Sequence, residues 1–192
     1  KEAIAEAPER IKKSCDKIID HYKKTIEPDG FKAMIVATTR EAAVLYKRQL
    51  DKIGAPPSKI IMTSKLGEKG KDGLSWDTFY LSDDDREIEA DKFKTNEDPT
   101  KILIVVNMLL TGFDCKILKV MYLDKVLKEH TLLQAIARVN RVYNEQKKSG
   151  EIIDFIGVTR DLGKAFENYD DIEMIGALDS RDTDVRIAKQ RQ

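Results

Sequence analysis

One stretch of sequence decides the fold, Lys101-Ile102-Leu103-Ile104-Val105-Val106, in which five aliphatic residues follow one another. Because these residues do not alternate with polar ones, the stretch predicts a β-strand buried on both faces. Outward from it, comparable apolar runs lie at 31–37, 118–123 and 151–156, and a shorter one lies at 59–63. Buried strands separated by helical segments are typical of an α/β fold, with a parallel sheet covered by helices on both faces.

Helical periodicity and turn residues organise the rest of the chain. Helices are predicted at 1–26, 39–53 and 130–143, where apolar residues recur at helical spacing. A further helix is predicted at 83–93, because the acidic run Ser82-Asp83-Asp84-Asp85 suits a helix N-terminus. The turn residues Glu27-Pro28-Asp29-Gly30 end the first of these helices. We therefore expect four parts: an N-terminal helix or linker (1–30), an α/β domain (31–168), a polar excursion within that domain (64–84), and a C-terminal linker helix or tail (169–192).

Composition excludes several classes of protein. The 192 residues carry 34 basic and 34 acidic side chains, which argues against a protein that holds nucleic acid by net charge alone. Two cysteines, Cys15 and Cys115, and two histidines form no zinc-binding pattern, so we expect no metal site. No apolar run approaches the ~20 residues of a membrane span, and a signal-peptide layout is missing, so we expect a cytoplasmic protein. Because the first residue is Lys1, we also expect a fragment of a longer chain.

Ligands of parallel sheets bind beyond the carboxyl ends of the strands, so chemistry is expected after residues 37, 106 and 123. The loop 107–114 ends in Thr111-Gly112-Phe113-Asp114. It offers a hydroxyl, a glycine that lets a phosphate approach the backbone, and a carboxylate suited to a ribose hydroxyl. An ordinary tight turn remains an alternative for this loop taken alone.

A second polar group follows on the last predicted helix. Gln134, Arg138 and Arg141 are spaced i, i+4 and i+7, which places them on one helical face. Two guanidinium groups presented together suit an oxyanion, because each donates two parallel hydrogen bonds. Taken alone, this face could equally be a solvated basic stripe paired with acids.

In order and at this spacing, the segments resemble the motor (R) subunit of type I restriction enzymes, a superfamily 2 DNA translocase. The resemblance covers about residues 31–160 and is weak in 1–26, 64–84 and 170–192. One departure is Cys115-Lys116, where the family often has Ala-Pro. The segments that carry the resemblance are Val36–Ala43, Glu89–Val106, Leu109–Asp114, Met121–Lys125, Leu133–Arg141 and Gly150–Gly157.

The resemblance implies the second RecA-like domain of a motor that binds ATP and Mg²⁺ between two such domains. Arg138 and Arg141 would then reach the γ-phosphate, with Gln134 supporting the same face. Gly112 would lie near the nucleotide, with Asp114 on the ribose. The expected DNA-backbone ligands are the side chains of Thr39, Arg40 and Thr111. Implied partners are double-stranded DNA, the first RecA-like and nuclease domains, and the modification and specificity subunits.

Parts of such a motor are missing from the sequence. The glycine-rich stretch 67–73 lacks the spacing and the Ser/Thr of a phosphate-binding loop, and no Asp-Glu-x-His magnesium motif occurs. We therefore expect this fragment alone to be inactive as an ATPase and as a nuclease. The open alternatives are another superfamily 2 repair or remodelling helicase, a RecA-like binding module without turnover, and a flavodoxin-like nucleotide binder.

Overall fold

The computed structural model describes residues 2–110, 112–156 and 186–189. Six strands form one sheet in the order β2-β3-β1-β4-β5-β6, and every neighbouring pair is parallel. The predicted α/β class is therefore confirmed. The strands are β1 (Lys32–Ala37), β2 (Ser58–Ile61), β3 (Ile102–Val105), β4 (Leu118–Asp124), β5 (Glu151–Asp154) and β6 (Arg186–Lys189).

Helices cover both faces of this sheet. Helix α3 connects β1 to β2, whereas α4 and α5 make connections that run in the opposite direction across the sheet. Because such connections are right-handed, α3 lies on one face and α4 and α5 lie on the other. Helix α2 packs against α3. None of the described helices is long and apolar enough to cross a membrane. The helices are α1 (Glu2–Ala5), α2 (Pro8–His21), α3 (Arg40–Lys52), α4 (Asp83–Phe93) and α5 (Glu129–Val139), with a π-helical turn at Tyr22–Ile26.

Short-range signals in the sequence start and stop these elements. The Thr39 side chain caps α3 by accepting a hydrogen bond from the Ala42 amide at 3.0 Å. Ser82 caps α4 in the same way, and three aspartates in its first turn suit the positive end of the helix dipole. Gly30, with φ of 76°, provides the left-handed turn that leads into β1.

The N-terminal segment departs from the single helix predicted for residues 1–26. The helix breaks before Pro8, which has no amide proton and begins α2 instead. The predicted apolar stripe is nevertheless buried, since Cys15 and Ile18 of α2 and Tyr22 of the π-helical turn are fully enclosed. The segment therefore packs on the α/β domain, a question that the sequence pattern left open, and the boundary at residue 30 stays a prediction.

Two predictions near the C-terminus were wrong. The helix predicted at 130–143 ends at Val139, because Asn140 leaves helical geometry as its C-cap. Within the predicted linker helix or tail, residues 186–189 form strand β6 on the outer side of β5. A parallel strand can add there because β5 would otherwise present unpaired backbone groups. The rest of 157–192 lies outside the described residues.

Candidate functional site

The predicted site residues fall into two groups at opposite edges of the sheet. Thr39 and Arg40 follow the carboxyl end of β1, as expected. Asp114 lies just before β4 begins, and Arg141 lies beyond the end of α5, so both are near the amino edge. These two residues therefore do not lie beyond the carboxyl ends of the strands, where the sequence led us to expect the site. The described residues between β3 and β4 contain no helix, and this connection brings Asp114 from the carboxyl edge of the sheet to its amino edge.

Asp114 and Arg141 form an ion pair that remains accessible to solvent. Arg141 Nη1 donates to Asp114 Oδ2 at 2.8 Å, and the two side chains are 41% and 42% exposed. A pair this exposed contributes at most about 1 kcal/mol, so another oxyanion can compete for the arginine. The other carboxylate oxygen, Asp114 Oδ1, is buried and accepts no hydrogen bond from the described residues.

Arg138 and Gln134 lie on α5 and share the predicted face. Gln134 Nε2 contacts the ring nitrogen Nε2 of His130 at 2.8 Å, one turn earlier. Arg138 is partly buried, and it forms neither a hydrogen bond nor an ion pair with the residues that the structure describes. Because the helix ends at Val139, Arg141 is not on this face, and the i, i+4 relation holds only for Gln134 and Arg138.

A buried lysine lies beneath the end of α5. Lys147 is fully enclosed and its ammonium donates to two backbone carbonyls, Val139 O at 3.1 Å and Arg141 O at 2.6 Å. Burial lowers the pKa of Lys147 to about 8. The burial of Lys147 was not predicted, because it stands in the polar stretch Glu145-Gln146-Lys147-Lys148, where nothing distinguishes a buried lysine from an exposed one.

Backbone geometry explains two residues of the loop that carries Asp114. Gly112 has φ of 76°, a conformation that disfavours any residue with a β-carbon. Leu109 adopts φ of 63°, which is uncommon for a branched side chain and costs conformational energy. Gly112 also lines an open groove of about 580 Å³ between this loop and α4. Thr111 lies outside the described residues.

Both predicted DNA ligands at the carboxyl edge are bound to carboxylates. Thr39 Oγ1 donates to Glu6 Oε1 at 2.7 Å, and the Arg40 guanidinium pairs with Glu68 at 2.6 Å and lies 5.6 Å from the Trp76 ring. Glu68 and Trp76 belong to the polar excursion, which therefore folds back over the start of α3. Trp76 anchors it, because only 4% of this residue is exposed.

A buried polar cluster at the end of β4 was not predicted. The Asp124 carboxylate is fully enclosed; Arg10 of α2 pairs with it, and Tyr46 Oη donates to its Oδ2 at 2.8 Å. The next residue, Lys125, donates to Asn107 Oδ1 at 2.5 Å, and burial lowers the pKa of its amine. In the sequence, the only indication of a buried charge here was that Asp124 directly follows the apolar run 120–123. Its partner, 114 positions earlier, was not visible in the sequence pattern.

Comparison with known proteins decides the family. The family described as "Type I restriction enzyme subunit R domain 3" matches residues 78–157. This range contains α4, β3, β4, α5 and β5. A putative type I restriction enzyme MjaIXP endonuclease subunit of Methanocaldococcus jannaschii is 38% identical over 169 residues, or 88% of this chain. The HindI endonuclease subunit of Haemophilus influenzae is 33% identical over 180 residues. The chain belongs to the type I restriction endonuclease subunits.

Solved structures show which fold the chain has. A fragment of a putative HsdR subunit of a type I restriction enzyme from Vibrio vulnificus aligns with 95% of this chain and 32% of its own, at 19% identity and a TM-score of 0.54. S. cerevisiae Dbp5, bound to RNA and ADP BeF3, aligns with 92% of this chain and 38% of its own, at 18% identity and a TM-score of 0.56. The fold is therefore RecA-like, as found in helicases. The chain spans 16% and 17% of the length of the M. jannaschii and H. influenzae subunits.

Proposed function

We propose that this chain is the second RecA-like half of an ATP-dependent double-stranded DNA translocase, within a type I restriction endonuclease subunit. Similarity to endonuclease subunits over 88% of the chain supports the family part of this proposal. Because the chain spans about a sixth of such subunits, the phosphate-binding loop and the nuclease belong to other domains. The modification and specificity subunits complete the proposed assembly.

The observation that carries the proposal is the arginine Arg138, which is partly buried on α5 and has no partner among the described residues. Its guanidinium is committed to no acceptor among the described residues, so an anionic ligand can accept two charge-assisted hydrogen bonds from it. An arginine supplied across a domain interface stabilises negative charge on a phosphoryl group and can accelerate turnover by roughly 10³–10⁵.

The neighbouring residues fit the same nucleotide. Asp114 carries a partly exposed carboxylate, which suits a ribose hydroxyl, and Gly112 exposes backbone close to it. Arg141 can exchange its exposed aspartate partner for a phosphate, and Gln134 lies one turn before Arg138. Within the described residues, no three histidine, cysteine or acidic side chains are grouped as metal ligands, so Mg²⁺ would be held by the first RecA-like domain together with ATP.

Thr39, Arg40 and Thr111 are the proposed contacts to the DNA backbone. A hydroxyl and a guanidinium at one loop suit a phosphate, and contacts of this kind carry no sequence information. Such a role agrees with a translocase, which moves along any sequence, and with a domain whose net charge is zero. The present partners of Thr39 and Arg40 are carboxylates, which resemble phosphate in charge and geometry.

The proposal is tested by replacing Arg138 with Ala in the complete endonuclease subunit and measuring ATP hydrolysis with and without DNA. We expect DNA-stimulated hydrolysis to be lost while DNA binding is retained. Lys128→Ala is the matched control, because Lys128 is an exposed cation at the start of the same helix. Unchanged turnover in Arg138→Ala would refute the assignment. The 192-residue chain alone should bind ATP weakly without hydrolysing it, and robust hydrolysis would reveal a complete site.

A further inference from the structure

The segment that carries Arg141 is built around one buried cation. Helix α5 ends at Val139, and the final carbonyls of any helix lack partners within it. Lys147 supplies a donor to one of these carbonyls, that of Val139, and to the carbonyl of Arg141 just beyond the helix. A positive charge at a helix C-terminus is also favourable towards the helix dipole. One side chain therefore fixes the path of the chain on both sides of Asn140.

Backbone hydrogen bonds hold Lys147 itself in place. Its amide donates to Asn144 O at 3.1 Å and to Asn144 Oδ1 at 2.9 Å, and its carbonyl accepts from the Tyr143 amide at 3.1 Å. Farther along, the Gly150 amide donates to Asn140 Oδ1 at 3.1 Å. Residues 140–150 therefore form a closed loop, in which the lysine points inward and Arg141 points outward to Asp114.

We infer that Lys147 is a positioning residue for the arginine segment, and that it acts by clamping the carbonyls of Val139 and Arg141 so that the Arg141 side chain is presented at a fixed place. The inference rests on the proposed function for the part that concerns turnover. A guanidinium must be placed within a fraction of an ångström to stabilise charge on a phosphate, and a misplacement of about 1 Å can cost roughly 100-fold in rate. No contact between Lys147 and the nucleotide is required.

The deciding experiment compares Lys147→Met with Lys148→Met. Methionine preserves most of the volume of lysine but leaves both carbonyls without a donor. Lys148 is the next residue, and its side chain is 69% exposed, so Lys148→Met removes an equal charge from the surface. In the complete subunit we expect Lys147→Met to lower the kcat of DNA-stimulated ATP hydrolysis roughly 10–100-fold, with a smaller change in KM. Lys148→Met should behave as the unmodified protein.

A double variant separates positioning from general destabilisation. If Lys147 acts through Arg141, the variant Lys147→Met/Arg141→Ala should be no slower than Arg141→Ala alone, because the clamp then has nothing to position. Additive losses would overturn the inference, and so would an unchanged kcat in Lys147→Met where Arg141→Ala is slow. Lys147→Gln, whose amide can still donate to one carbonyl, should recover part of the rate.

Hydrogen exchange in the 192-residue chain tests the clamp without any nucleotide. We expect Lys147→Met to speed exchange of the Tyr143 and Gly150 amides at least tenfold relative to the strands, with no change in Lys148→Met. Unchanged exchange would overturn the clamp. If exchange responds but Arg141→Ala hydrolyses ATP normally, the clamp stands and the role proposed for Arg141 falls. If Lys147→Met does not fold, the same comparison is made with Lys147→Gln.

Discussion

The guanidinium of Arg40 and the carboxylate of Glu68 form a two-point ion pair, with Nη2–Oε1 at 2.6 Å and Nη1–Oε2 at 2.8 Å. This pair joins the start of α3 to the polar excursion. Thr39 is engaged in a similar way by Glu6 of the N-terminal segment. If Thr39 and Arg40 bind the DNA backbone as proposed, a phosphate has to displace one or both carboxylates, so the excursion competes with DNA.

Glu68→Gln should therefore strengthen binding to duplex DNA. Exposed ion pairs contribute up to about 1 kcal/mol, so releasing Arg40 predicts roughly two- to fivefold tighter binding. Fluorescence anisotropy with a short labelled duplex, repeated over a salt series, measures this. Glu87→Gln adds the same charge on the exposed face of α4 and is the control. Equal gains in both variants would mean that net charge, and not the release of Arg40, is responsible.

Arg10→Met should destabilise the domain strongly. Arg10 is the ionic partner of Asp124, whose carboxylate is fully enclosed, and removing one partner of such a pair leaves an uncompensated charge in the interior. The expected loss in free energy of unfolding is about 3–5 kcal/mol, measured by urea denaturation. Tyr46→Phe removes only one hydrogen bond to the same carboxylate and should cost about 1–2 kcal/mol. A loss below 1 kcal/mol in Arg10→Met would show that Asp124 finds another partner.

Gly150→Ala should also destabilise, for a steric reason. A β-carbon at this position would lie 2.3 Å from the carbonyl oxygen of Val139, which is backbone and cannot rotate away. Overpacking of this kind typically costs about 1–3 kcal/mol, and we expect the upper part of that range in thermal unfolding. Ser149→Ala, one residue earlier, should change stability by less than about 0.5 kcal/mol. An unaltered melting temperature in Gly150→Ala would contradict the close packing of α5 on β5.

Lys147 should make stability depend on pH in the alkaline range. Burial lowers its pKa to about 8 in the folded protein, from 10.5 in the unfolded chain. Between these values the unfolded state binds more protons, so stability rises with pH, and below pH 8 the contribution is flat. By pH 9.5 the unmodified protein should have gained about 2 kcal/mol relative to Lys147→Met.

This difference in stability is measured by urea unfolding of the two proteins at several pH values. Subtracting the Lys147→Met curve removes the opposing effect of Cys115, whose pKa burial raises to about 11. The groups that face Lys147 are Asp114, Lys119 and Arg141 together with that thiol, and they are the same in both proteins. A constant difference across the range would contradict a lowered pKa.

The sequence predicted the sheet well, because the strands that decide it have no solvent face. Every residue of β1 and β3 is buried, so the apolar runs marked their positions without knowledge of their partners. The caps Thr39 and Ser82 are equally local, since each acts on an amide three residues away. Periodicity failed where long-range contacts end an element, as at Val139, where Lys147 and Asn140 stop a helix that the apolar spacing would have continued.

The site was predictable in its residue types but not in its arrangement. The sequence pointed to Asp114 and Arg141 as site residues, and the two side chains do form an ion pair. It did not predict the edge of the sheet at which they meet, because that depends on a connection without a helix between β3 and β4. The cluster around Asp124 was not predicted either, because Arg10 and Tyr46 reach this carboxylate from distant parts of the chain.

The two edges of the sheet have a mechanical consequence for a motor. The proposed DNA contacts Thr39 and Arg40 and the proposed nucleotide contacts Asp114 and Arg141 are separated by the length of the strands, about 20 Å for the six residues of β1. In a motor built as proposed, a tilt of about 10° of this close-packed sheet as a rigid body would displace its far edge by about 3.5 Å. That displacement is close to the spacing of about 3.4 Å between successive nucleotides along one DNA strand. A translocase built as proposed could therefore couple a small tilt of this domain to a movement of about one nucleotide along DNA.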